Sequence, residues 1–129
     1  MKKQLATSNA RVTREVDPAE VQDLLAHPPR ATVAFVDAGE VDVVPVRARL
    51  IDGAHAFAVQ GGAIPDLAGR EVVLIRDDGP YWFELRGVSV RGLAHPRAAP
   101  GTAYGPPLAW YSVEPRRVLA WDYGQLHDV

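Results

Sequence analysis

The chain of 129 residues contains no cysteine. Disulfides, thiolate metal sites and thiol nucleophiles are therefore excluded. Lysine is confined to Lys2 and Lys3, against twelve arginines. A lysine Schiff base or a P-loop lysine has almost nothing to build on. Long apolar runs are missing too: none approaches the roughly 20 residues of a spanning helix. Met1 to Asn9 carries two positive charges with no apolar stretch behind them, so it does not read as a secretory signal. No membrane partner is expected, and elimination places the protein in the cytoplasm. The net charge of −2 is a poor electrostatic footprint for a nucleic-acid binder, and none is expected as a partner. Serines are few: Ser8, Ser89 and Ser112. The nearest approach to a nucleophile elbow, Gly87-Val-Ser-Val-Arg-Gly92, has its second glycine one place late and lies inside a strand pattern. His27, His55, His95 and His127 show no i,i+2 or i,i+4 pairing, so no metal site is expected. No side chain presents itself as catalytic.

What is present suits one globular domain. Apolar residues make up 47% and charged residues 23%, which fits neither disorder nor a membrane span. Residues 1–16 are polar, of mixed charge and without a period; they read as an arm ahead of a domain over 17–129. Asp17-Pro18-Ala19-Glu20 is a helix start, with Asp17 as N-cap, Pro18 at the first position and Glu20 as capping-box partner. Pro28-Pro29 stop that helix, so about ten residues near 18–27 are expected to be helical. From there the period changes to two. Strands are expected over Ala31–Val36, Val41–Leu50, Ala54–Gln60, Glu71–Arg76, Tyr81–Ala94, Leu108–Val113 and Arg117–Trp121. Asp52-Gly53 signals a hairpin turn, and Ile64 to Ala68 a single helical turn ended by Gly69. Gly87 and Gly92 mark bends, and Pro45 marks an edge or bulge. The fold class expected is mainly β: a six- to seven-stranded antiparallel split barrel with one N-terminal helix and one short helical turn.

Arginine and tryptophan carry the remaining information. Alternation in Val43-Val44-Pro45-Val46-Arg47-Ala48-Arg49 puts Arg47 and Arg49 on one strand face and Val44, Val46 and Ala48 on the other. Two guanidinium groups two residues apart repel. A phosphate between them offsets this and matches their forked donors. Spacing alone favours the plainer reading, a solvated exterior with cross-strand carboxylate partners. Trp82, Trp110 and Trp121 need burial and a partner for the indole N–H. Packing in a core or dimer interface explains them, and stacking on a flat ligand is the other reading. Gly61-Gly62 after the Gln60 strand end is a turn, or a place where backbone amides approach an anion.

The order of these segments resembles the pyridoxamine 5′-phosphate oxidase-like family of flavin-binding split barrels, from about residue 17 to 122. Ala31-Thr-Val-Ala-Phe-Val-Asp-Ala-Gly39 is similar to the family's first strand and turn. Val43-Val-Pro-Val46 resembles its valine-proline strand, and Arg70-Glu-Val-Val-Leu-Ile-Arg-Asp-Asp-Gly79 the strand and turn after its central helix. Leu85-Arg-Gly-Val-Ser-Val-Arg-Gly-Leu-Ala94 resembles its long strand, and Val113-Glu-Pro-Arg-Arg-Val-Leu-Ala-Trp121 its closing strands. The resemblance implies a homodimer with FMN or a deazaflavin at the interface and an oxidoreductase role. Arg47 and Arg49 then match the phosphate-holding strand positions, and Gln60, Gly61 and Gly62 the strand end. The ring lies along the backbone of Val44 to Val46, with Trp121 or Trp110 nearby. The chain departs from the family at Gln60-Gly-Gly-Ala-Ile64, where a Ser or Thr followed by Arg or Lys is usual. It departs again at Pro65-Asp-Leu-Ala-Gly69, where the central helix is cut short. Each charge-assisted hydrogen bond that is missing there is worth about 1.5–3 kcal/mol, against about 8 kcal/mol for micromolar binding. The departure keeps an alternative in view: a degenerate split barrel without flavin, binding a small ligand or a protein. A third reading is haem, with His55 or His95 as axial ligand.

Overall fold

The computed structural model describes residues 15–26, 28, 30–62, 64–79, 85–101 and 107–123. The short strand β1 (Glu15–Val16) leads into a helical segment. It begins as a 3-10 turn over Pro18–Val21 and continues as α1 (Gln22–Ala26). The expected cap is in place. Asp17 Oδ1 accepts from Ala19 N at 2.9 Å, and Glu20 Oε2 accepts from Asp17 N at 3.1 Å. Val21, Leu24 and Leu25 form the buried stripe.

Seven longer strands follow: β2 (Arg30–Asp37), β3 (Glu40–Pro45), β4 (Arg47–Ile51), β5 (Ala54–Gln60), β6 (Glu71–Asp78), β7 (Arg86–Arg97) and β8 (Leu108–Asp122). They make one curled antiparallel sheet in the order β3-β2-β6-β7-β8-β5-β4, with β1 beside β8. Asp52 and Gly53 take φ values of 50° and 80°, the left-handed pair that a two-residue hairpin turn requires between β4 and β5. The helical turn expected over Ile64 to Ala68 is not helical: that segment is irregular and closes in a turn where Arg70 N donates to Leu67 O at 2.9 Å.

The expected strand Val41–Leu50 is two strands that pair with opposite ends of the sheet. β3 pairs with β2, and β4 pairs with β5. The chain changes partner at Val46, whose N–H donates to Ala31 O at 3.0 Å. Pro45 has no N–H to extend a ladder, so the change falls beside it. Conversely, the two strands expected over 108–121 are one. Pro115 falls at a register shift, where Gly92 faces Pro115 while Arg91 faces Arg117, and the strand bends without breaking. β7 runs further than the expected Ala94: His95, Pro96 and Arg97 pair with Ser112, Tyr111 and Trp110. The expected start of that strand, Tyr81 to Glu84, lies outside the described residues, as do Ser8, His27, Trp82 and His127.

Residues of β2 and of β5 to β8 fill the interior, among them Val33, Phe35, Phe57, Leu74, Val88 and Val90, with Val44, Ala48 and Leu50 of β3 and β4 packed partly buried against them. Phe57 stacks on Tyr111 with ring centroids 5.4 Å apart. The Tyr111 hydroxyl donates to Asp66 Oδ1 at 2.9 Å and accepts from Leu67 N at 3.2 Å, which holds the 64–69 turn over the core. Arg86 ties α1 to β6 through Asp23 at 2.7 Å and Asp78 at 3.1 Å. Among the described residues no helix is long and apolar enough to cross a membrane.

The two interior glycines of β7 are sites of close approach. A Cβ on Gly92 would run into the carbonyl oxygen of Glu114, and one on Gly87 into the Trp121 ring and, at 2.9 Å, the Arg76 carbonyl. Gly92→Ala and Gly87→Val should therefore each cost about 3 kcal/mol or more, read as a lowered urea midpoint. Wild-type midpoints in both would show that the approach is not tight.

Candidate functional site

The outer face of the β4-β5-β8-β7 quarter carries two transverse rows. One runs Arg47, Ala58, Trp110, Arg97; the next runs Arg49, Ala56, Ser112, His95. Strands about 4.8 Å apart put Arg47 and Trp110 roughly 10 Å from each other. Ala56 and Ala58 are buried between them because they are small and their neighbours are long. Arg97 Nη1 donates to Ser112 Oγ at 3.2 Å. Arg47 and Arg49 are exposed and form no ion pair among the described residues. The cross-strand carboxylates of the plainer reading are not there: alanines face both arginines.

Arg47, Arg49 and Trp110 line a cleft of about 340 Å³, together with Pro28, Ala31, Val46 and Ala48. The cleft opens where β4 leaves β3 and passes β2. Val44 is not among its lining residues; it sits one step back on β3, half-buried and paired with Val33. Gln60 ends β5 two residues beyond Ala58, on the same face by alternation. Gly61 and Gly62 follow, both exposed. The Gly61 N–H donates to Pro107 O at 3.3 Å, so that amide is already engaged. Trp121 is not brought to this cleft within one chain. It stands near the opposite end of the 15-residue β8 from Trp110, over Gly87 and opposite Glu15.

No family model and no curated protein matches the sequence, but solved structures share the fold. The FAD binding protein from Mycobacterium smegmatis superposes with a TM-score of 0.64 at 18% identity, covering 82% of this chain and 94% of that one. A proposed pyridoxamine 5′-phosphate oxidase from Corynebacterium glutamicum gives 0.63 at 15% identity, over 84% and 96%. A FAD-binding protein from Mesorhizobium loti gives 0.60 at 15% identity, over 86% and 98%. The fold is the split barrel of the pyridoxamine 5′-phosphate oxidase-like proteins.

Inside this split barrel lies a pair that the sequence reading passed over. Arg76 has no exposed surface, and its Nη1 is 3.1 Å from His55 Nδ1. The signal was available. Arg76 is in phase with Val72 and Leu74 on the buried face of β6. Burial, and then the Arg76 charge, push His55 down to about 4. Burial likewise lowers Arg76 to about 10, so it stays charged at neutral pH. Neither histidine considered for haem is without a partner: His55 meets Arg76, and His95 Nε2 lies 2.8 Å from Glu114 Oε1. Among the described residues no three His, Asp or Glu side chains converge as a metal site does.

The depressed His55 value makes folding sensitive to acid. The unfolded chain takes up the His55 proton near pH 6.5, the folded chain only near 4. This group therefore adds nothing to the pH dependence above 6.5, and stability falls as pH drops from 6.5 towards 4. His55→Gln should flatten that part of a plot of Tm against pH. An unchanged slope in the variant would assign the acid sensitivity elsewhere.

Proposed function

We propose that this protein binds a flavin nucleotide in the Arg47–Arg49–Trp110 cleft, as a homodimer with an oxidoreductase role. The observation that carries this reading is the unpaired state of Arg47 and Arg49 beside an indole. Two neighbouring cations without carboxylates suit a phosphate, and an aromatic about 10 Å away suits a planar ring system. Arg47 and Arg49 hold the phosphate. The ring lies along the backbone near Val44 and Val46, beside Trp110. Gln60, Gly61 and Gly62 border the phosphate end. The names of the split-barrel neighbours from Mycobacterium smegmatis and Mesorhizobium loti support flavin as the class of ligand. FMN, FAD and a deazaflavin all carry a phosphate next to the sugar-alcohol chain, so this grip serves any of them. Bound flavin supplies hydride or electron transfer, and the protein supplies orientation and charge.

The dimer has support in the exposed apolar face of the β2–β3 hairpin. Val36, Val41 and Val43 are 56%, 69% and 58% exposed. In a dimer Trp121 of one chain can meet the cleft of the other, which a single chain does not allow. One observation favours the alternative of a split barrel without flavin. The Gly61 amide is taken by Pro107, and no cation lies between Gln60 and Ile64.

Titration with FMN and with riboflavin separates the readings, because riboflavin lacks the phosphate. The flavin reading expects FMN to bind more tightly than riboflavin. It also expects Arg47→Ala and Arg49→Ala each to weaken FMN by more than about tenfold, with riboflavin affinity and Tm nearly unchanged. Flavin fluorescence quenching reads both affinities. A colourless protein that quenches neither flavin, with a mass twice that of the chain, decides for the flavin-free module.

A further inference from the structure

Arg76 is among the largest fully buried side chains. Its Nη1 donates to His55 Nδ1, and a ring nitrogen that accepts is unprotonated, so His55 is neutral in the Nε2–H form. The other two nitrogens, Nε and Nη2, are buried and have no hydrogen-bond partner. The carboxylates next to Arg76 in sequence are engaged elsewhere, Asp77 with Arg30 at 3.0 Å and Asp78 with Arg86 at 3.1 Å. A full positive charge thus lies in an apolar interior with no counter-charge among the described residues. Such a charge is strongly destabilising until something negative meets it.

The unused atoms specify the shape of that partner. Nε and Nη2 lie on the same edge of a guanidinium, the edge that takes both oxygens of a carboxylate in parallel hydrogen bonds. The charge specifies its valence. One cation beside a neutral imidazole is balanced by a monovalent anion, whereas a dianion would leave buried negative charge. The seam between β2 and β4 lies beside Arg76. No ladder joins β2 to β4, whose seam is crossed by the bond from Val46 N to Ala31 O. Ala31 pairs with Arg76 across β2 and β6 and also lines the cleft. Leu50, on the β4 side of the seam, pairs with His55.

We infer that the Nε–Nη2 edge of Arg76 binds a small monocarboxylate inside the barrel, reached through the seam between β2 and β4. The site is separate from the flavin cleft and does not depend on flavin being bound there.

Sodium acetate is the probe, with sodium chloride at equal ionic strength as its control. Both are titrated into the full chain at pH 7. A buried arginine Nε–H exchanges slowly with solvent and gives a resolved signal in a 1H–15N spectrum. One such signal should move saturably with acetate and stay in place with chloride. Tm should rise by about 5 °C at a tenfold excess of acetate over its dissociation constant. Arg76→Met should remove the signal and abolish the acetate-dependent rise. If that variant does not fold, the wild-type titration decides alone. Absence of saturable movement, equal movement with chloride, or an undiminished rise in Arg76→Met overturns the inference. None of these outcomes depends on flavin, so a failure here leaves the flavin reading standing, and the reverse holds.

Discussion

The change of partner at Val46 is the constraint on which the rest of the structure depends. β3 and β4 are consecutive in the chain, yet they occupy the two ends of the sheet order. With only Val46 between them, the two edges cannot lie far apart, and the sheet has to curl. Pro45 supports the change chemically, since it lacks the N–H that would continue the ladder. The bond from Val46 N to Ala31 O then spans a seam that no ladder joins. Both polar features of interest border that seam, the exposed pair Arg47 and Arg49 outside and the buried Arg76 inside.

The arginines divide by what they meet. Arg30, Arg70 and Arg86 reach carboxylates and tie strands or helix together. Arg47, Arg49, Arg76, Arg91, Arg97, Arg116 and Arg117 reach none among the described residues. The paired set accounts for the use of arginine in a structural role, and partly exposed pairs of this kind contribute little each. The unpaired set has no such explanation. Within it, Arg47 and Arg49 face a cleft beside an indole, and Arg76 faces inward with half of its fork unused. Recognition of anions accounts for both placements with one chemistry.

Much of the fold was legible because it rests on local rules. The Asp17 cap, the Asp52-Gly53 turn and the alternation of β2, β5 and β6 are each set by a few adjacent residues. What was missed depends on residues distant in sequence. The stretch Val41–Leu50, strand-like throughout, carries no mark of a change of partner except Pro45. Pro115 looked like a break, because nothing nearby shows that Gly92 of another strand lets the backbone bend past it. The face shared by Arg47 and Arg49 followed from alternation, but their neighbour Trp110 did not, since it comes from β8. Arg76 was readable from its phase with Val72 and Leu74, against the general expectation that arginine stays outside.

The most direct test of the account is a crystal structure of the protein grown with FMN. The account predicts the phosphate between Arg47 and Arg49, and the ring system beside Val46 and Trp110. Phosphate density away from both arginines, with the cleft holding only solvent, would contradict it.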